Sequence, residues 1–229
     1  MTDISIVKPK SIASFIDHTL LKPEATKKDV RVLCEEAVAN QFYAVCVNSS
    51  MLSTCREILK NTKVKIAGVV GFPLGACETS VKSYETTRAF NLGASEVDMV
   101  LNIGALKGGD FDYVEKEITD VVRAAEGNIV KVILETSLLT QDEKIKACEL
   151  SLAAGAHFVK TSTGFGGGGA TVEDILLMKK IVGAKAGVKA SGGIKNYEQA
   201  MALIEAGATR LGTSSGVLLV SGQDAKGGY

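Results

Sequence analysis

The sequence predicts a single (β/α)8 barrel, and three observations predict it. Short apolar runs alternate with amphipathic segments along the chain. Glycine–alanine pairs close several of the amphipathic stretches. Polar residues repeatedly follow the apolar runs. Eight βα units in 229 residues fit this fold. An open doubly wound sheet shares the alternation and is the rival arrangement.

The elements follow in order. The first strand is read at Ser14–Asp17, and Thr26 with Asp29 has the spacing of a capping box that starts a helix. Near-continuous apolar runs at Phe42–Val47, Val64–Val70, Glu96–Leu101 and Ile129–Leu134 suit parallel strands covered on both faces. Between the last two, Val114, Ile118, Val121 and Ala125 fall on one helical face. Thr140 with Glu143 repeats the capping-box spacing, and Ile145, Cys148 and Leu152 share a face in the helix it opens. Strands are then expected at Phe158–Val159, Gly187–Ala190 and Thr209–Thr213, with a helix between the last two begun by Asn196 and Gln199. Gly93-Ala94, Gly155-Ala156 and Gly207-Ala208 mark helix ends, where glycine takes the left-handed conformation that stops a helix. Seven helices separate the eight strands, and a short eighth begins near Ser214. Residues 1–229 form one domain, with a polar, mobile tail from about 222 to 229.

Composition narrows the function. Lys plus Arg and Asp plus Glu both number 26, so nothing favours nucleic acid or an anionic membrane as a partner. The N-terminus lacks a secretory h-region, and no apolar stretch nears the roughly 20 residues of a membrane span, so a cytoplasmic protein is expected. Five cysteines without CxxC spacing read as reduced, packed thiols. Two histidines cannot build a three-histidine zinc site.

In a barrel the active site lies at the C-terminal ends of the strands. Those ends carry Asp17-His18-Thr19, Asn48, Asn102, Glu135-Thr136, Lys160-Thr161-Ser162, Lys189-Ala190-Ser191 and Thr213-Ser214-Ser215. Lys160 and Lys189 stand in consecutive buried strands. Burial and a like-charged neighbour both favour a neutral amine, which attacks carbonyls and forms an imine. Asp98 interrupts the strand SEVDMV and faces inward with Val100 and Asn102 by period two. It is placed to pair with a lysine or to move protons. The Ser191-Gly192-Gly193 and Gly212–Gly216 segments follow the last two strands, where barrels commonly bind phosphate. Gly164–Gly169 spells GxGxxG, but no acidic residue follows at the next strand end, so it reads as a loop over the substrate and not a dinucleotide site.

These residues resemble the deoxyribose-phosphate aldolases. The resemblance runs in order through IDHTLLKPEAT (Ile16–Thr26), VCVN (Val45–Asn48), VVGFPLGA (Val69–Ala76), EVDMVLNIG (Glu96–Gly104), KVILET (Lys131–Thr136), VKTSTGFGGGGAT (Val159–Thr171), VKASGGI (Val188–Ile194) and RLGTSSG (Arg210–Gly216). It implies a class I aldolase without metal or organic cofactor that cleaves 2-deoxy-D-ribose 5-phosphate to acetaldehyde and D-glyceraldehyde 3-phosphate. It implies Lys160 as the Schiff-base residue, Lys189 as the group that perturbs it, and Asp98 as a proton relay through a bound water. Gly193, Gly212, Ser214 and Ser215 would contact the phosphate, and Asp17 and Thr19 would lie near substrate hydroxyls or phosphate. Cys46, Asn48, Thr163 and Gly192 complete the expected substrate-binding set, and His18 supports the first strand end. Phe165 stands where some relatives carry a phosphate-side lysine. Tyr229 matches a C-terminal tyrosine thought to assist proton transfer, although a passive terminus fits as well. A homodimer is compatible with the family, yet no interface stripe marks one. Two other readings stay open: another Schiff-base sugar-phosphate aldolase or transaldolase-like barrel, and a catalytically dead sugar-phosphate-binding barrel.

Overall fold

The computed structural model describes residues 11–221. Its sheet is a closed barrel of eight parallel strands in sequential order. The strands are β1 (Ile16–Leu20), β2 (Ala44–Val47), β3 (Lys65–Val70), β4 (Glu96–Val100), β5 (Ile129–Ile133), β6 (Phe158–Lys160), β7 (Gly187–Ser191) and β8 (Arg210–Thr213). β8 closes on β1 with Asp17 opposite Gly212. The open-sheet alternative is thereby excluded.

The helices are α1 (Lys27–Ala39), α2 (Leu52–Leu59), α3 (Thr79–Asn91), α4 (Ile103–Lys107), α5 (Phe111–Ala124), α6 (Gln141–Ala153), α7 (Val172–Val182), α8 (Tyr197–Glu205) and α9 (Gly216–Ser221). The capping boxes at Thr26 and Thr140 are present with both reciprocal bonds. At Asn196 only half is made. Its side chain accepts the Gln199 N–H, while the Gln199 side chain turns to the Lys195 N–H. α6 differs from expectation: it buries Ala147, Cys148, Leu150 and Ser151, and Leu152 is only partly buried against the core.

Most of the apolar core lies between barrel and helices. β5 shows why. Val130, Val132 and Leu134 point outward and are fully buried in that core, while Lys131 points into the barrel. Each such aliphatic side chain contributes about 1.5–3 kcal/mol on burial. Among the described residues no helix is long and apolar enough to cross a membrane.

Candidate active site

The barrel interior is charged. Register places Lys160 of β6 directly beside Lys189 of β7, and Asp98 of β4 beside Lys131 of β5. Asp98 is the hub. Its Oδ1 accepts from Lys131 Nζ at 2.7 Å, and its Oδ2 accepts from Lys160 at 2.8 Å and from Lys189 at 2.7 Å. Below it, Lys131 also pairs with Glu96 at 2.6 Å, and Lys189 pairs with Asp17 at 2.5 Å. Arg210 joins Asp17 (2.9 Å) to Glu96 (3.0 Å), with its guanidinium 3.5 Å from the Tyr43 ring centre. That stacking suits a planar, weakly hydrated cation.

This cluster holds four basic side chains (Lys131, Lys160, Lys189, Arg210) and three carboxylates (Asp17, Glu96, Asp98). All are at most 4% exposed. Buried charges of this kind are tolerated only when paired and hydrogen-bonded. Lys131, Lys189 and Arg210 each bind two carboxylates within 3.0 Å. Lys160, at the end of β6, binds only Asp98 among the described residues.

Burial alone would raise the Asp98 carboxyl, but Lys131, Lys160 and Lys189 outweigh it and hold it well below the ordinary 3.8. Asp17 is likewise lowered, its burial outweighed by Lys189, Arg210 and Lys131. For Lys189, burial pulls the ammonium down, yet Asp17 and Asp98 prevail and its pKa is raised. Lys189 is thus a lysine held charged, the outcome the sequence left open by placing Asp98 to pair with one of the two. Barrel closure brings it two carboxylates from distant strands.

The expected phosphate and hydroxyl contacts gather at the rim between β7, β8 and β1. Thr19, Gly192, Gly193, Gly212, Ser214 and Ser215 line one cavity of about 470 Å³. A Cβ on Gly212 would meet Ser191 Cβ at 3.0 Å and Lys189 Cε at 3.1 Å, so a side chain there would have to displace Ser191 or the Lys189 stem by a few tenths of an ångström. Asp17 has a different place from the substrate contact expected of it. It is fully buried, with both oxygens taken by Lys189 and Arg210. Thr19 Oγ1 donates to the Asp17 carbonyl at 2.8 Å. His18 points away from the barrel interior, with Nε2 2.7 Å from Glu36 and its ring against Phe42, as a supporting residue would.

Cys46 is buried in a small apolar patch with Leu21, Ala67 and Val69, and burial raises its thiol. Asn48 Nδ2 donates to the Leu21 carbonyl at 3.2 Å. Parts of the glycine run after β6 approach their neighbours closely. A Cβ on Gly166 would lie 2.6 Å from Glu135 Cδ, and one on Gly169 would lie 2.4 Å from the Gly192 carbonyl oxygen. Phe165 meets Phe72 edge-on at 5.4 Å. Tyr229 and the 222–229 tail lie outside the described residues.

Sequence reasoning missed Lys131, Glu96 and Arg210 as members of the cluster. The period-two argument that singled out Asp98 also reaches Glu96, two residues earlier on the same face, and Lys131 interrupts its apolar strand as Asp98 does.

Residues 11–221 match the family model described as DeoC/LacD family aldolase. A curated relative from Bdellovibrio bacteriovorus, named deoxyribose-phosphate aldolase, is 57% identical over 95% of this chain and 99% of its own. One from Thermococcus gammatolerans, with the same name, is 60% identical over 92% and 96%. The solved structure of deoxyribose phosphate aldolase from Aeropyrum pernix, described as a tetramer, superposes with a TM-score of 0.86. It is 34% identical, covering 92% of this chain and 89% of that one.

Proposed function

This chain belongs to the DeoC/LacD family of aldolases, and from that premise we propose that it cleaves 2-deoxy-D-ribose 5-phosphate reversibly to acetaldehyde and D-glyceraldehyde 3-phosphate through an imine on Lys160. The observation that carries the residue assignment is the four-against-three cluster. An imine-forming lysine attacks as the free amine. With one of the four basic groups neutral, the buried charges balance. Among the described residues Lys160 has the fewest ionic contacts to give up, and it is the last residue of its strand.

The chemistry follows. Lys160 Nζ leaves Asp98 Oδ2 and adds to the C1 aldehyde of the open-chain sugar. Loss of water from the carbinolamine gives an iminium. The iminium draws electrons from the C2–C3 bond, which breaks as the C3 hydroxyl loses its proton and becomes the new aldehyde. D-Glyceraldehyde 3-phosphate departs and an enamine remains. Protonation of the enamine and hydrolysis of the imine release acetaldehyde. Asp98 Oδ2 touches both Lys160 and Lys189, so it is placed to pass protons between them, and Lys189 supplies a fixed positive charge beside the imine. The backbone of Gly193 and Gly212 with Ser214 and Ser215 holds the phosphate at the rim. Thr19, Asn48, Thr163 and Gly192 complete the substrate contacts.

The test is aldehyde-coupled turnover of 2-deoxyribose 5-phosphate by the wild type and Lys160→Leu. The proposal requires turnover in the first and none in the second. Condensation of glyceraldehyde 3-phosphate with dihydroxyacetone phosphate and not with acetaldehyde would replace it with the ketose-type reading. Light scattering separates the homodimer compatible with this chain from the tetramer described for the Aeropyrum pernix relative.

A further inference from the structure

We infer that Glu135 is a positioning residue that makes the Thr163 hydroxyl a pure hydrogen-bond acceptor toward the sugar. The enzyme thereby selects substrates that carry a hydroxyl on the carbon next to the phosphate-bearing one. This rests on the reading above, in which Lys160 holds the sugar and the β7 and β8 loops hold its phosphate.

Glu135 follows β5 and is 2% exposed. Its backbone is left-handed, with φ of 56°, a conformation that costs a residue with a side chain and recurs at functional sites. Its Oε2 accepts both the Thr163 N–H, at 3.2 Å, and the Thr163 hydroxyl. Its Oε1 has no hydrogen-bond partner among the described residues. Gly166 lies directly against the carboxyl carbon, and Gly168 lies against Ser137. The glycines let the loop backbone close on Glu135 with no side chain between them.

A threonine hydroxyl has one hydrogen and two lone pairs. The Thr163 hydrogen goes to Glu135, and one lone pair takes the Phe165 N–H at 3.0 Å. One lone pair is left. That oxygen accepts a hydrogen bond from a hydroxyl, and it repels the oxygens of a phosphate or carbonyl. Thr163 stands three residues past Lys160, further toward the rim. The hydroxyl it reads is therefore nearer the phosphate than the imine. Glu135 is 2% exposed, and the hydrogen bonds it makes are to Thr163.

The test runs the reaction in the synthetic direction, with acetaldehyde as donor. The acceptors are glyceraldehyde 3-phosphate and its analogue lacking the 2-hydroxyl, 3-oxopropyl phosphate. The readout is the ratio of kcat/KM for the two acceptors. Thr163→Val and Glu135→Leu should each lower the ratio about tenfold, the worth of one hydrogen bond. The double variant should lower it no further. Glu135→Gln should restore most of it, since its amide oxygen can take the same two Thr163 hydrogens. If Glu135→Leu fails to fold, Glu135→Asp withdraws the acceptor by one methylene, and the ratio should fall with it. Additive losses in the double variant, equal losses on both acceptors, or an unchanged ratio would overturn the role of Glu135. Borohydride trapping of acetaldehyde on Lys160 in the same proteins reads the imine separately. Absence of trapping even in the wild type sinks the reaction as proposed, whereas normal trapping with an unmoved ratio sinks only the inference.

Discussion

Lys131→Met tests the idea that charge balance in the barrel governs the nucleophile. Lys131 is fully buried and lies within 2.7 Å of both Glu96 and Asp98. Removing one partner of a buried ion pair costs about 3–5 kcal/mol, because the other charge is stranded. A protein of this size loses about 2–4 °C in Tm per kcal/mol, so a fall of roughly 6–20 °C is expected. The functional effect follows from the same imbalance. Three basic groups then face three carboxylates, and the cluster balances only while Lys160 keeps its proton. Keeping that proton withholds the free amine that attacks the carbonyl. The assays are thermal unfolding and the initial rate of borohydride-trapped acetaldehyde. Lys131→Met should lose at least about tenfold in trapping rate. Lys131→Met/Glu96→Gln, which again leaves one more basic group than carboxylates, should recover much of both losses. A double variant no better than the single in trapping would refute the reasoning, since the contact itself and not the balance would then matter.

Two further outcomes follow. Lys82 on α3 is fully buried and donates to the Gly75 and Val100 carbonyls and to Glu117 at 2.6 Å, while Glu117 also holds the Asn102 N–H. Lys82→Met should cost about 3–5 kcal/mol by chemical denaturation, and Glu117→Gln in that background should recover part of it; a loss under about 1 kcal/mol would contradict the pairing. The second concerns acid. Asp98 and Asp17 are held below the ordinary 3.8, so they bind protons more weakly folded than unfolded. Their contribution to stability is present above about pH 4 and is lost as pH falls through the lowered values. Urea midpoints should therefore show this loss only below about pH 4, and unfolding complete at pH 5 would contradict the ion pairs.

Six of the eight strands, β2 to β7, are legible as short apolar runs, while β1 and β8 carry polar residues and follow from the repeat. The first was placed early, since Ser11 caps a 3-10 turn at Ile12–Phe15 and delays β1 to Ile16. α4 is too short, at five residues (Ile103–Lys107), to show a helical periodicity. Asp98 and the two lysines of β6 and β7 were legible as charges in apolar strands. Lys131 carries the same signal as Asp98, a charge in the middle of an apolar strand, whereas Arg210 begins β8 and interrupts no apolar run. The charged state of Lys189 depends on Asp17, 172 residues away. Only closure of β8 onto β1 brings the two together, and no local pattern announces it. Glu135 was visible as a polar strand end, but its left-handed backbone and its grip on Thr163 belong to the folded chain.

The most direct test of the account is borohydride reduction in the presence of acetaldehyde, followed by peptide mass mapping. The account predicts a two-carbon adduct on Lys160 that is absent from Lys160→Leu. An unmodified Lys160, or an adduct on Lys189 instead, would contradict it.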